Sequence, residues 1–212
     1  LKNLKLINSN AYNSSINFNS KLKIESVCSE YSTLDINKGV FPYNVPHFRS
    51  HQKHRINKAL KKNNFIKGRV LNNLIDVFPR EQLKLLAKEM IISGVRKHEF
   101  FSSKRLSLIE SLYNSGLVIL HVMVEQNKIR CCNIIMRNSS KKYILWIDLF
   151  DSTKMINISS YICFIKLVSE NKSITINFGR GRYFYKKSNF SPSFDNLYRI
   201  DVFFDKWSLF KH

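Results

Sequence analysis

Residues 117–150 have the sequence LVILHVMVEQNKIRCCNIIMRNSSKKYILWIDLF, and they set the type of fold. They contain three apolar segments, 117–125, 128–137 and 142–150, rich in the branched and aromatic residues that strands favour. The turn-prone pair Gln126-Asn127 separates the first two, and Asn138-Ser139-Ser140 precedes the third. Because loops this short join antiparallel neighbours, the stretch predicts an antiparallel meander.

Three helices are predicted before the meander. Pro46 opens the first, which ends near Asn63 and carries a thin apolar stripe. Pro79 suits the first turn of the second, and the third begins at about Lys104. Their apolar faces are Phe48, Ile56, Ala59 and Leu60; Leu83, Leu86, Ala87 and Met90; and Leu106, Ile109, Leu112 and Tyr113. A short strand is predicted over 65–71. The Asn- and Ser-rich residues 1–40 are predicted to hold one or two weak strands.

A fourth helix, a strand over 173–178, a glycine loop and a final strand over 197–204 follow the meander. The helix has one apolar face, formed by Ile158, Tyr161, Ile162, Ile165 and Val168. This order predicts an α+β or α/β fold, with a mixed, mostly antiparallel central sheet and helices on both faces.

Composition bounds the partners and the compartment. The chain has 35 Lys and Arg against 15 Asp and Glu, a formal charge of +20. Such a charge favours anionic partners, although the general richness in Lys, Asn and Ile also contributes to it. The four cysteines form no CxxC pair and no zinc-type spacing, so we expect no metal and a reducing compartment. No apolar stretch approaches the ~20 residues of a membrane-spanning helix.

The first predicted helix is strongly basic. Residues 47–69 contain eight Lys or Arg, three His and no acid. A basic amphipathic helix can dock on phosphates or on an anionic membrane face. It can equally be a helix whose cations simply face water, and the sequence leaves these alternatives open.

A second basic segment, residues 178–186, has the sequence FGRGRYFYK. Glycine lets the backbone turn sharply and approach a ligand closely, while Arg180, Arg182 and Lys186 supply donors suited to phosphate or carboxylate. The alternative is a solvated turn whose aromatic rings fold back onto the core.

Three stretches together resemble the N-acetyltransferase (GNAT) superfamily. They are the basic helix 54–62, the end of the meander at 146–151, and the 178–181 loop leading to Tyr185-Lys186. The likeness is greatest to the divergent bacterial branch associated with cellulose and exopolysaccharide biosynthesis, and it extends to macrophage-inducible proteins of antimicrobial-peptide resistance. It covers about 47–204, so we expect a GNAT-like acyltransferase domain over 41–212. Residues 1–40 would then be the remnant of a preceding domain.

The resemblance implies adjacent strands that splay, with an acyl-thioester or acyl-tRNA arm between them. The pyrophosphate of an acyl-CoA donor, such as acetyl-CoA, would lie at the amino end of the helix after the meander. The residues implied for binding it are Asn157, Ser159, Ser160, Tyr161, Gly179 and Gly181. Tyr185 would donate a proton to the leaving thiolate, and Lys186 or Arg180 would balance developing charge.

Two departures bear on this expectation. Relatives commonly have Ser-Pro-Gly at that helix start, whereas this chain has Ile158-Ser159-Ser160. An acidic residue usually found between the positions of Gly181 and Tyr185 is absent. Both departures affect expected ligand contacts.

The sequence therefore favours an acyl-CoA-dependent N-acyltransferase acting on an amino group of an envelope or polysaccharide-related substrate, a sugar amine or peptide. The alternative is a non-catalytic GNAT-fold protein that binds an anionic membrane or glycan and contributes to antimicrobial-peptide resistance. Nucleic acid is not favoured, because no nucleic-acid motif is present. We expect a cytoplasmic location, at most peripheral to the inner membrane.

Other polar residues are weaker candidates. Asp148 could accept an amine proton at a strand end, whereas Asp151 is expected to cap a turn. His121 lies in an apolar strand and is expected to be a hydrogen-bonded core or edge residue and not a catalyst.

Overall fold

A computed structural model describes residues 5–8, 22–63, 66–96, 100–152, 156–180 and 183–203. In chain order the elements over these ranges are β1 (Lys5–Asn8), β2 (Leu22–Ile36), α1 (Ser50–Lys62), β3 (Lys67–Leu71), α2 (Arg80–Ile92), α3 (Ser103–Asn114), β4 (Val118–Glu125), β5 (Lys128–Arg137), β6 (Lys142–Phe150), α4 (Ile156–Ser169), β7 (Ile174–Arg180), α5 (Phe184–Phe190) and β8 (Ser193–Phe203).

The strands form one sheet in the order β1-β8-β2-β7-β6-β5-β4-β3. Neighbours are antiparallel except β6 and β7, which are parallel and joined by α4. The predicted fold class is confirmed: this is an α+β fold with a mixed, mostly antiparallel sheet.

The predicted meander is confirmed as β4, β5 and β6. Gln126 and Asn127 both have positive φ, 49° and 62°, as the tight two-residue hairpin turn requires. Asparagine tolerates this conformation better than most residues, which is why the pair works as a turn.

Helices cover both faces of the sheet. On one face α1, α4 and α5 pack around Ile56, Phe164 and Phe190. On the other face α2 and α3 bury Leu83, Met90, Leu106, Ile109 and Tyr113, as the sequence pattern predicts. The two helix layers therefore leave access to the sheet mainly at its strand ends and between helices.

The parallel pair β6–β7 is short. Its pairing ends at Ile144 opposite Asn177, although β6 continues to Phe150. Gly179 follows with a φ of 71°, and its N–H donates to the Asn177 side chain at 2.7 Å. Beyond Ile144 the carboxyl half of β6 is therefore not paired with β7, and we call this unpaired stretch between the two strands the gap.

Several elements differ from the sequence predictions. The predicted glycine loop continues into a short helix, α5, whose Lys186 and Phe190 side chains are buried. β8 begins at Ser193, four residues before the predicted strand. The Asn- and Ser-rich segment supplies β2, which lies between β8 and β7 in the same sheet. Its origin in a preceding domain stays a prediction.

Candidate active site

Three polar residues form a row across the meander. His121 on β4 is paired with Asn133 on β5, and Asn133 is paired with Asp148 on β6. Because directly opposed residues of neighbouring strands point to the same face, the three side chains lie side by side. His121 and Asn133 are buried, and Asp148 is half-buried beside the gap.

Helix α4 supplies the partners of this row. Ser160 donates to Oδ1 of Asn133, and its Oγ lies 2.9 Å from Nδ1 of His121. Tyr161 donates its hydroxyl to Oδ2 of Asp148, while the Asn133 amide donates to Oδ1 of Asp148 at 3.4 Å. His121 is thus the hydrogen-bonded core residue that the sequence suggested.

Helix α5 completes the cluster. The Tyr185 ring stacks on Tyr161 at 6.2 Å between centroids, and exposed Tyr183 stacks on Tyr185 at the same spacing. The three rings lead from the surface to Asp148.

Lys186 is buried and holds the end of β7 to α5. Its Nζ donates to the carbonyl oxygens of Gly179, at 3.1 Å, and Arg180, at 2.9 Å. The same Nζ lies 5.1 Å from the centroid of the Tyr183 ring. This cation therefore lies at the point where β7 ends.

Burial perturbs the titration of the cluster. Burial raises the pKa of Asp148, and hydrogen bonds from Tyr161 and Asn133 oppose that rise. Burial also lowers the pKa of Lys186 to about 8, against the opposing charge of Asp148. Loss of hydration lowers the pKa of His121 to about 4, so its imidazole is neutral at neutral pH. Burial raises the pKa of both Tyr161 and Tyr185, which therefore remain protonated donors.

These shifts bear on the proton donor expected from the sequence. Proton transfer is most efficient between groups of similar pKa near the working pH. Lys186 meets this condition for a thiolate better than Tyr185, because the pKa of Tyr185 is raised well above its ordinary value. Tyr185 is better suited to donating a hydrogen bond than to giving up its proton.

The predicted phosphate-binding residues on α4 do not all lie at its amino end. The helix begins at Ile156, so its first four N–H groups, 156–159, lack an intrahelical acceptor. Ser160 and Tyr161 lie beyond these groups, and their side chains point into the cluster. Ser159 donates to the carbonyl oxygen of Ala59 at 2.9 Å. Asn157 is half-buried.

The 178–186 segment is divided. Gly179, Arg180, Tyr185 and Lys186 lie together at the end of β7 and the start of α5, and Arg180 is exposed. Gly181 lies outside the described residues.

A cationic cavity of about 460 Å³ opens beside this cluster. Arg55, Lys58 and Lys62 of α1 line one side, and Ile158 and Tyr185 line the other. The Arg55 guanidinium carbon lies 5.6 Å from the centroid of the Phe184 ring. The cavity therefore offers three cations within reach of the aromatic rings that lead to Asp148.

Asp151 has a different environment from Asp148. Its Oδ2 accepts from Arg130 at 3.3 Å, and Arg130 also binds Glu125. Asp151 thus belongs to an ion-paired group beside β5. Cys131 and Cys132 are buried on opposite faces of β5, as their adjacency predicts.

Over the described ranges, no cluster of three or more His, Cys, Asp or Glu side chains is arranged to hold a metal ion. Within those same ranges, every helix falls short of the length and apolar character that crossing a bilayer requires.

Comparison with known proteins places the fold among a group of solved structures. No protein-family model and no curated protein sequence matches the chain. The C-terminal DUF2156 domain of a protein assigned as a lysylphosphatidylglycerol synthetase from Agrobacterium fabrum is similar over 84% of this chain and 60% of its own, at a TM-score of 0.59 and 12% identity.

Two further structures are similar. A conserved protein of unknown function from Bacteroides thetaiotaomicron has a TM-score of 0.60 and 14% identity over 85% of this chain and 62% of its own. L-PGS from Bacillus licheniformis has a TM-score of 0.59 and 10% identity over 89% of this chain and 64% of its own. The chain spans about three-fifths of the length of these structures, and the likeness establishes a shared fold. Nothing in these comparisons points to the cellulose-associated branch.

Proposed function

We propose that this protein is an N-acyltransferase whose reaction takes place in the gap between β6 and β7. The observation that carries the proposal is the position of Asp148: its carboxylate lies beside that gap, in hydrogen bonds from Tyr161 and Asn133. Burial raises the pKa of Asp148 toward neutral pH, and this makes its carboxylate a stronger base than that of an ordinary aspartate.

The reaction assigns a role to each side of the cluster. The acceptor amine attacks the acyl carbonyl carbon, a C–N bond forms, and the C–S bond of the thioester breaks. Asp148 accepts the proton that the amine loses. Lys186 supplies a proton to the departing thiolate, since its pKa of about 8 is close to that of a thiol. Tyr185 donates a hydrogen bond near the reacting group.

The donor's anionic end is assigned to the cationic cavity. Arg55, Lys58 and Lys62 line this space, and Tyr185 joins it to the buried cluster. An acyl-CoA carries phosphates at one end and the thioester at the other, so it can span this route. An aminoacyl ester on a polyanionic carrier has the same polarity. The names of two similar structures, L-PGS and lysylphosphatidylglycerol synthetase, favour testing a lysyl donor as well.

The test combines donor binding with product formation. The purified 212-residue chain is titrated with acetyl-CoA and, separately, with lysyl-tRNA, and its melting temperature is followed. Acceptor amines, glucosamine and a lysine-containing peptide, are then added and analysed by mass spectrometry. We expect one donor to raise the melting temperature and one acceptor to gain the acyl mass.

Variants separate binding from chemistry. Arg55→Gln with Lys58→Gln should weaken donor binding, whereas Lys53→Gln with Lys61→Gln, on the same helix but outside the cavity lining, should not. Asp148→Asn should keep donor binding and lose transfer. If neither donor binds and no acceptor gains mass, the enzyme proposal is wrong.

One observation favours a second candidate, a non-catalytic scaffold that binds an anionic ligand. Asp148, Tyr161 and Asn133 bind one another, and Lys186 binds two backbone carbonyl groups. Such a network also fits a purely structural role. Donor-independent binding of an anionic glycan, lost in the Arg55→Gln/Lys58→Gln variant, would identify this function.

A further inference from the structure

The turn between β3 and α2 presents three aliphatic side chains to solvent. Leu74 is 88% exposed, Ile75 83% and Val77 90%. We call these three residues the aliphatic tip. Single exposed apolar residues are common on protein surfaces, but three large ones at the apex of one short turn form a patch that usually marks a contact.

This turn is held firmly in place. The Leu74 N–H donates to Oδ1 of Asn72 at 3.1 Å, and the Asn72 N–H donates to Oδ2 of Asp76 at 3.2 Å. Tyr113 of α3 donates to the carbonyl oxygen of Asp76 at 3.0 Å, and buried Phe78 packs on the Tyr113 ring. The tip therefore projects from a fixed base, so it keeps its three side chains exposed together.

The size and shape of the tip favour insertion into a lipid layer over contact with another protein. Three aliphatic side chains supply far less than the roughly 800 Å² that each partner contributes to a stable protein interface. A convex tip of this size can bury its side chains fully by entering a fluid apolar layer. The interfacial region of a bilayer accepts such insertions, and cations beside the inserted group strengthen binding to anionic lipid.

Cations lie beside the tip. Lys67 and Arg69 of the edge strand β3 are exposed, and they line one cavity with Val77. The acids in this cavity are Glu125, which accepts from Arg130, and Asp76, whose carboxylate accepts the Asn72 N–H.

A further exposed cation, Arg137, is connected to the turn through Leu117 and Gly116. Asn73 lies against Gly116, whose neighbour Leu117 is 53% exposed. Exposed Arg137 donates its N–H to the Leu117 carbonyl oxygen. The cations that share a cavity with the tip are thus Lys67 and Arg69, and Arg137 is exposed beside Leu117.

We propose that the aliphatic tip docks the protein on an anionic bilayer surface, with Leu74, Ile75 and Val77 inserted and Lys67 and Arg69 against lipid phosphates. This surface is separate from the α1 cations, because the turn continues the α2–α3 layer while α1 packs on the opposite face of the sheet. The proposal does not depend on the acyltransferase activity.

The test is co-sedimentation with vesicles of phosphatidylcholine alone and of phosphatidylcholine mixed with phosphatidylglycerol. We expect sedimentation with the mixed vesicles. The triple variant Leu74→Ser/Ile75→Ser/Val77→Ser should lower the partition coefficient roughly tenfold or more, because three aliphatic insertions are lost. The control Ile92→Ser/Leu108→Ser/Leu167→Ser removes three exposed apolar side chains that lie outside the tip and should bind like the parent.

Charge variants distinguish this surface from α1. Lys67→Gln/Arg69→Gln should reduce binding to the mixed vesicles severalfold, whereas Arg55→Gln/Lys58→Gln should leave it near the parent value. Absence of sedimentation with mixed vesicles, or equal loss in the tip variant and its control, overturns the proposal. A parent chain that is dimeric in size-exclusion chromatography and becomes monomeric in the tip variant also overturns it, because the tip would then be a contact between two copies.

Discussion

The hydroxyl of Tyr161 donates a hydrogen bond to Oδ2 of Asp148, and this bond joins α4 to β6 where β6 is no longer paired with β7. Helix α4, which connects β6 to β7, is therefore hydrogen-bonded to β6. The carboxylate keeps its position beside the gap because donors on α4 and β5 bind both of its oxygens.

Removing the Tyr161 hydroxyl should destabilise the protein. In Tyr161→Phe one oxygen of a half-buried carboxylate loses its donor, which costs about 1–3 kcal/mol in free energy of unfolding. Tyr143→Phe is the control, because the Tyr143 hydroxyl binds groups at an exposed turn and its loss should cost only about 0.5 kcal/mol. Urea unfolding measures both. In an Asp148→Ala background the Tyr161 effect should largely disappear; an unchanged effect would contradict the coupling.

Replacing Asp148 by Asn should affect the reaction far more than the fold. The amide keeps the shape of the side chain but cannot accept a proton, so we expect kcat to fall by about 100-fold or more. The melting temperature should stay close to that of the parent. Asp35→Asn is the control. Asp35 is an exposed residue of β2, which pairs with the edge of β7 that faces away from β6, and its carboxylate accepts a hydrogen bond from Thr175. Equal activity in the two variants would exclude Asp148 as the base.

Acid should destabilise the protein through His121. Its folded-state pKa of about 4 lies below the ordinary value of 6.5, so the unfolded chain binds more protons between these pH values. Stability therefore falls as the pH drops from 6.5 to 4, by up to about 3 kcal/mol from this group alone.

His121→Asn retains a polar group near Ser160 but does not titrate. Urea unfolding at pH 7, 6, 5 and 4 should show a smaller loss in the variant than in the parent. Asp148, whose raised pKa acts in the opposite direction, is present in both proteins, so its effect cancels in the comparison. Parallel pH curves would contradict the assignment.

Two glycines with similar backbone conformation allow a matched test of the β7 turn. Gly179 has a φ of 71° and Gly94 a φ of 72°. Alanine at either position should cost about 1 kcal/mol through backbone strain. A Cβ at Gly179 meets only the Leu145 carbonyl oxygen at 3.5 Å, an ordinary contact. Gly179→Ala should also slow acyl transfer, because backbone strain at this position shifts the carbonyl groups that hold Lys186, whereas Gly94→Ala should not. The rate of product formation at saturating donor distinguishes them.

The element order and the buried faces of α2 and α3 follow from local patterns, and the sequence predicts them well. The polar row across the meander does not follow from such patterns. Counted from the Glu125–Lys128 hairpin, a regular ladder would pair His121 with Cys132; an irregularity between Met123 and Val124 pairs it with Asn133. A second irregularity, between Ile134 and Ile135, brings Asp148 opposite Asn133.

A shift of one residue changes which side chains share a face, and no local sequence signal places the two irregularities. The sequence therefore indicates Asp148 only as an isolated strand-end carboxylate. The α5 helix was missed for a related reason: glycines and aromatics around it indicate a loop, and its stability comes from burying Lys186 and Phe190. Tertiary packing decides both features.

The central position of β2 has a consequence for the order of folding. Its neighbours β7 and β8 come late in the chain, and Thr33 binds Ser193 across 160 residues. During synthesis both edges of β2 stay unpaired until β7 has emerged, and one edge stays unpaired until β8 has followed, while the β3–β6 half can already assemble. Contacts this distant in sequence slow folding. We expect the meander half to gain protection from hydrogen exchange first, with β2 joining in the last step.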